Sequence, residues 1–165
     1  MTKTMLLAAA AFALPTIAFA GTAEDTQIVM AAGACQSALP VFDGVVRKRP
    51  LAVQNEGTTP AFITCGLEGK FGAVVSSSVI LVGLVNNSAS SATVNCTLVD
   101  GREGLSDPVY RPKSVMLPAN TQLAELVWAN ADNEGVNFIY PAISCSLPPG
   151  TGIKAVGQAF LAPAP

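Results

Sequence analysis

The chain has no histidine in its 165 residues. It therefore lacks the commonest general base and the commonest metal ligand, which excludes Ser-His-Asp and Cys-His mechanisms. Zinc fares no better: there is no Cys-x-x-Cys, and 29, 30 and 48 residues separate successive cysteines. Charge is scarce as well, with 12% charged residues. The one basic cluster, Arg47-Lys48-Arg49, runs straight into Pro50 and reads as a solvated loop or strand edge. Nucleic-acid binding needs Lys and Arg gathered on one face, so it is not expected. No apolar run reaches the roughly 20 residues that cross a bilayer, and no transmembrane segment is expected.

The first residues do carry a shorter signal. Lys3, an apolar run over 5–14, a breaker at Pro15 and Ala18-Phe19-Ala20 have the anatomy of a cleaved secretory signal. The reading is a signal peptide over 1–20 and a single β-sandwich domain over 21–165, exported to the periplasm or the medium. Cleavage removes Lys3 and no acid, so eight basic residues face eleven acidic ones and the formal charge moves from −2 to −3. Ala32-Gly33-Ala34-Cys35 superficially resembles a lipoprotein box, but it lacks the leading leucine and follows a polar stretch.

Three strips organise the remainder: Ile63-Thr64-Cys65-Gly66-Leu67, Val94-Asn95-Cys96-Thr97-Leu98 and Ile143-Ser144-Cys145-Ser146-Leu147. Each puts an aliphatic residue, a cysteine and a leucine at i, i+2 and i+4, with Thr, Gly, Asn or Ser between. Strand side chains alternate between faces, so each cysteine is expected to point into an apolar layer. Abundant Val, Thr, Ser, Gly and Asn and frequent turns extend the reading to an all-β, jelly-roll-like sandwich of two antiparallel sheets and about eight strands.

In order along the chain, 28–34 reads as an edge strand or tethered arm, 39–44 as a loop, 51–55 as a strand and 61–67 as the next. Residues 68–70 read as an exposed turn. Residues 79–85 are apolar on both faces, as in a central strand, and form an expected hairpin with 92–99. A long loop is expected over 101–112, a short strand over 114–117, and a strand rather than a helix over 122–129. One strand is expected over 138–147 and a final one over 153–161, where Lys154 and Gln158 suggest a sheet edge.

Four cysteines in an exported chain favour disulfides, and three pairings are possible. If 63–67, 79–85 and 94–98 form a meander, Cys65 and Cys96 lie two strands apart, about 10 Å, too far to bridge. The expected bridges are Cys35 with Cys65 and Cys96 with Cys145.

Chemistry is left to carboxylates, hydroxyls and rings. Glu103, Asp107, Asp132 and Glu134 could supply a glycosidase pair, yet all sit among Gly, Asn or Pro, where acids ordinarily form turns. Asp132 and Glu134, or Asp100 with Glu103, offer oxygen ligands for calcium without a complete calcium-loop pattern. Gly150-Thr151-Gly152 lacks the Gly-Lys-Ser/Thr of a phosphate loop. Tyr110, Trp128 and Tyr140 could present flat faces to sugar rings; Trp128 lies in an apolar run that favours core packing, which leaves Tyr110 as the better candidate.

Ala34-Cys35-Gln36, Phe42-Asp43-Gly44, Arg47-Lys48-Arg49-Pro50-Leu51-Ala52, Asn55-Glu56-Gly57-Thr58, Ala61-Phe62-Ile63-Thr64-Cys65 and Leu147-Pro148-Pro149-Gly150-Thr151-Gly152-Ile153 resemble a group of small exported proteins of Gram-negative bacteria. The resemblance spans nearly all of the mature chain. It implies a shared secreted β-fold and carries over no activity and no site residue. The expected function is non-enzymatic and needs no cofactor: a binding or surface-associated module for glycans of the envelope or the environment. Its rivals are a hydrolase using loop carboxylates and a structural or inhibitory protein that pairs with an envelope or extracellular partner through a sheet edge.

Overall fold

The computed structural model describes residues 24–67, 76–101 and 108–161. The expected signal peptide over 1–20, the turn at 68–70, and Glu103 and Asp107 lie outside them. Two antiparallel sheets face each other. The first holds β1 (Glu24–Met30), β3 (Val46–Arg49), β4 (Ala52–Asn55), β6 (Ser76–Asn86), β9 (Thr121–Ala129), β10 (Phe138–Ile139) and β12 (Thr151–Leu161). The second runs in the order β2 (Cys35–Ser37), β5 (Ala61–Gly66), β11 (Ala142–Leu147), β7 (Ala92–Asp100) and β8 (Val109–Leu117). The all-β, disulfide-stapled sandwich is therefore as expected. Among the described residues the strands number twelve, because β2, β3 and β10 are too short to read from alternation.

Alternation explains the core. Ile80, Val82, Leu84 and Trp128 of the first sheet meet Ile63, Val94, Leu98, Ile143 and Leu147 of the second, all buried. The three strips behave as their spacing dictates, and Cys35, Cys65, Cys96 and Cys145 are buried in this layer. The bridges are Cys35 to Cys65 and Cys96 to Cys145, each between residues directly opposite on paired strands. The pairing is the expected one, but its premise needs correcting. The strand between Cys65 and Cys96 is β11, not residues 79–85, which belong to the other sheet.

That correction is general. The chain repeatedly crosses between sheets, and β6 and β7 form no hairpin because they lie in opposite layers. A five-residue connection with apolar strands on both sides suits an arch between facing sheets as well as a hairpin. Residues 31–34 likewise form one helical turn that carries β1 in the first sheet to β2 in the second. The expected strand over 138–147 breaks at Tyr140, whose φ of 50° is left-handed, and at Pro141, which cannot donate to a ladder. The final strand is no edge. β12 lies between β6 and the pair β1 and β4, and its Gln158 is buried, accepting from Ser77 Oγ and donating to Gln27 Oε1. Arg47, Lys48 and Arg49 lie on β3, the exposed edge strand.

Two arches share one device. Asn55 accepts from Gly57 N and donates to Thr59 O; Asn86 accepts from Ser88 N and donates to Ser90 O. Both amides are buried, and each also crosses to another segment, Asn55 to Leu147 O and Asn86 to Leu117 O and Pro118 O. The arches are laced together by Gly150 N donating to Asn55 O and Asn87 N donating to Gly150 O. Gly150 is needed there, since its φ is 78° and a Cβ would lie 2.8 Å from Ser88 Cβ.

Candidate carbohydrate-binding face

The residues between the apolar positions of the strips all project from the outer face of the five-stranded sheet. Strand register sets them in rows. Tyr110, Val99, Ala142 and Gly66 form one; Pro112, Thr97, Ser144, Thr64 and Gln36 the next; Ser114, Asn95, Ser146 and Phe62 a third. None of these side chains is charged. Ser114 Oγ donates to Asn95 Oδ1 at 2.7 Å. Among the described residues, the hydroxyls of Thr64, Thr97, Ser144 and Ser146 have no partner. The central strand β11 carries only Ala and Ser on this face, and Tyr110 on β8 and Phe62 on β5 stand roughly 14 Å apart across it, three strand spacings.

Aromatic rings bound it. Tyr110, 61% exposed, stands at one corner. It sits in β8 and not in a loop, because that strand begins at Val109. Tyr140, 53% exposed, lies at the same end, with its carbonyl oxygen 3.4 Å from where a Gly101 Cβ would sit. Phe62, 46% exposed, occupies the diagonally opposite corner, its ring 6.0 Å from that of Phe42. Phe62 is not among the residues expected from sequence to bind, although its place between Ala61 and Ile63 in strict alternation puts it outward. Trp128 has no exposed face: it is fully buried and its indole N–H donates to Arg111 O at 2.9 Å. Packing against the opposite sheet removes it from the ligand candidates.

The carboxylates do other work. Asp132 accepts from Lys113 Nζ at 2.8 Å and from Ala129 N at 2.8 Å, and Glu134 accepts from Arg111 Nη2 at 2.9 Å. Asp100 accepts from Asn133 Nδ2 and Ile139 N. These contacts tie β7 and β8 of one sheet to the chain after β9 of the other, closing one side of the sandwich. The oxygens expected for calcium are thus engaged by Lys113, Arg111 and backbone, and no group of three His, Cys, Asp or Glu gathers among the described residues.

The hydrogen bond from Lys113, then that from Ala129 N–H, hold the Asp132 carboxyl below its ordinary value of 3.8, against a smaller upward push from burial, with the charges of Lys113 and Arg111 assisting. A depressed carboxylate stabilises the fold above its unfolded value and stops doing so as pH falls through the folded value. Urea midpoints at about pH 5.5 and about pH 2.5 are therefore expected to differ more in the parent than in Asp132→Asn. Equal differences would show that this ion pair contributes nothing.

No family model and no curated protein matches the chain. Solved structures resemble it distantly. A GH26-CBM35 β-(1,4)-mannanase of Podospora anserina superposes at a TM-score of 0.45 and 13% identity over 85% of this chain and 28% of that one. An F5/8 type C domain from Bacteroides fragilis gives 0.42 and 7% over 82% and 91%. A family 11 carbohydrate-binding module from Clostridium thermocellum, in complex with a β-1,3-1,4-mixed-linked tetrasaccharide, gives 0.39 and 10% over 90% and 93%. At these scores the likenesses assign neither a family nor a ligand.

Proposed function

We propose that this protein is a non-enzymatic glycan-binding module, exported to an oxidising compartment, whose ligand lies across the outer face of the five-stranded sheet. The observation that carries the reading is the combination on one face of unpartnered hydroxyls, no charge, and exposed rings at its corners. Neutral polysaccharide offers many hydroxyls and apolar C–H faces, which call for hydrogen-bonding groups at strand spacing and for aromatic surfaces. Two buried disulfides accord with an oxidising compartment, and no described helix is long and apolar enough to cross a membrane.

Edge pairing with a partner protein has less support. The exposed edge strands carry Pro112 and Lys113 on β8 and Arg47, Lys48 and Arg49 on β3, which blunt strand addition. The loop-carboxylate hydrolase has less still, since Asp132 and Glu134 are held in ion pairs.

Co-sedimentation with peptidoglycan and a set of insoluble polysaccharides tests the proposal. Saturable retention on at least one matrix is expected, and Tyr110→Ala, verified as folded, is expected to weaken it about tenfold, the loss of one aromatic anchor. Retention unchanged by Tyr110→Ala and by Phe62→Ala would remove this face from the account.

A further inference from the structure

The opposite side of the molecule holds a recess, chemically different from that face. On the outer face of the seven-stranded sheet, a trough of about 230 Å³ is lined by Arg49, Gln54, Val85, Asn87, Gln122 and Lys154, with Leu51 at its rim. Its floor is made by register: Gln54 on β4 and Val85 on β6 both lie opposite Gly152 on β12. Glycine is needed at that point of the floor because β4 passes close by: a Cβ at 152 would approach Val53 O to 2.9 Å and Gln54 Cα to 3.2 Å.

The charge of the trough is unbalanced. Arg49 donates through Nε and Nη2 to Glu56 Oε1, at 2.9 and 2.6 Å. Lys154 has no hydrogen-bond or ion-pair partner among the described residues, and none of the lining residues is acidic. Its position is specific. The pairing of β12 with β6 shifts register between Ile153 and Ala155, so Lys154 is the extra residue of a bulge, a feature that re-aims a side chain. Around it are amides with spare capacity: Asn87 Nδ2 donates to Gln54 Oε1 at 3.0 Å, which leaves Asn87 Oδ1 and Gln54 Nε2 open, and Gln122 stands beside them.

We propose that this trough binds a sugar acid, with the carboxylate taken by Lys154 and Arg49 and the ring hydroxyls by Gln54, Asn87 and Gln122. An ammonium held beside spare amides calls for a ligand with one negative charge and several hydroxyls, and Val85 with Leu51 offers apolar surface to the C–H face of a ring. The volume lies below the roughly 300 Å³ at which drug-sized pockets begin, which suits a single acidic sugar unit and not a chain. The site lies on the other sheet from the neutral-glycan face and stands independently of it.

The experiment is a titration of the whole isotopically labelled protein with galacturonate, its methyl ester, galactose and inorganic sulfate, followed by amide shifts. Galacturonate is expected to shift Gly152, Lys154 and Asn87, and Lys154→Gln is expected to weaken the effect about tenfold or more while leaving the rest of the spectrum in place. Lys154→Arg, which keeps the charge, is expected to retain binding. Equal shifts with the ester or galactose would overturn the carboxylate assignment, and equal affinity for sulfate would overturn the sugar assignment. Shifts unaltered in Lys154→Gln, or no shift at these amides with galacturonate, would overturn the site.

Discussion

Replacing Cys96 and Cys145 together by alanine is expected to lower the unfolding free energy by about 4 kcal/mol, the chain-entropy value for a bridge closing 49 residues. For a domain of this size that is about 10 °C in melting temperature, and it is a large part of the 5–15 kcal/mol that a domain ordinarily has. The effect is large because of where the bridge sits. It joins β7 to β11, two of the three inner strands of the five-stranded sheet, and both sulfurs lie in the layer that packs against the other sheet. Breaking it frees the unfolded chain and also leaves a small void in the core. The Cys35–Cys65 bridge closes 30 residues and fastens the three-residue edge strand β2 to β5, so its removal is expected to cost somewhat less. Urea unfolding of the two double variants checks both values; a loss below about 1 kcal/mol for Cys96 with Cys145 would contradict the entropic account.

The second large effect comes from an amide. Asn86→Ala is expected to destabilise by about 3 kcal/mol, although it removes no apolar packing. The fully buried Asn86 side chain donates to Ser90 O, Leu117 O and Pro118 O and accepts from Ser88 N and Ser88 Oγ. Alanine would leave these carbonyls and the Ser88 N–H short of partners where water is largely excluded, and that desolvation carries the cost. Its neighbour Asn87 is exposed and bonds Gln54, so Asn87→Ala is the control, expected within about 0.5 kcal/mol of the parent. Equal stabilities for Asn86→Ala and Asn87→Ala in urea would show that the arch does not depend on its asparagine.

The sequence made one thing plain, the face to which each residue of a strip belongs. Alternation is local: Ile63, Cys65, Ile143 and Cys145 could be read as inward without knowing what lay opposite. The same alternation had already fixed Thr64, Thr97, Ser144 and Ser146 as outward, so the candidate face was latent in the strips used to find the core. Sheet membership was not legible, because it depends on whether a short connection turns back within a layer or arches across. The buried asparagines that brace the arches, Asn55 and Asn86, carry no local mark that sets them apart from asparagines in ordinary turns. Gln158 misled for a related reason. A polar residue in a strand suggests an edge, unless Ser77 and Gln27 wait to receive it, and both are distant in the chain. Tyr110 is legible by its type and its strand is not, since Pro108 and Pro112 beside it mimic a loop; Pro112 is tolerated because β8 is an edge strand. Asp132 and Glu134 drew attention as acids in a turn, and their Lys113 and Arg111 partners come from a strand some twenty residues earlier.

Whether the outer face of the five-stranded sheet receives a glycan, as proposed, is decided by amide-shift mapping with a soluble neutral oligosaccharide. The oligosaccharide would come from whichever polysaccharide retains the protein. The predicted result is a contiguous set of saturable shifts at Thr64, Thr97, Ser144, Ser146 and Tyr110, with the arches at Asn55 and Asn86 unmoved. Shifts confined to other surfaces, or none with any member of a broad saccharide panel, would contradict it.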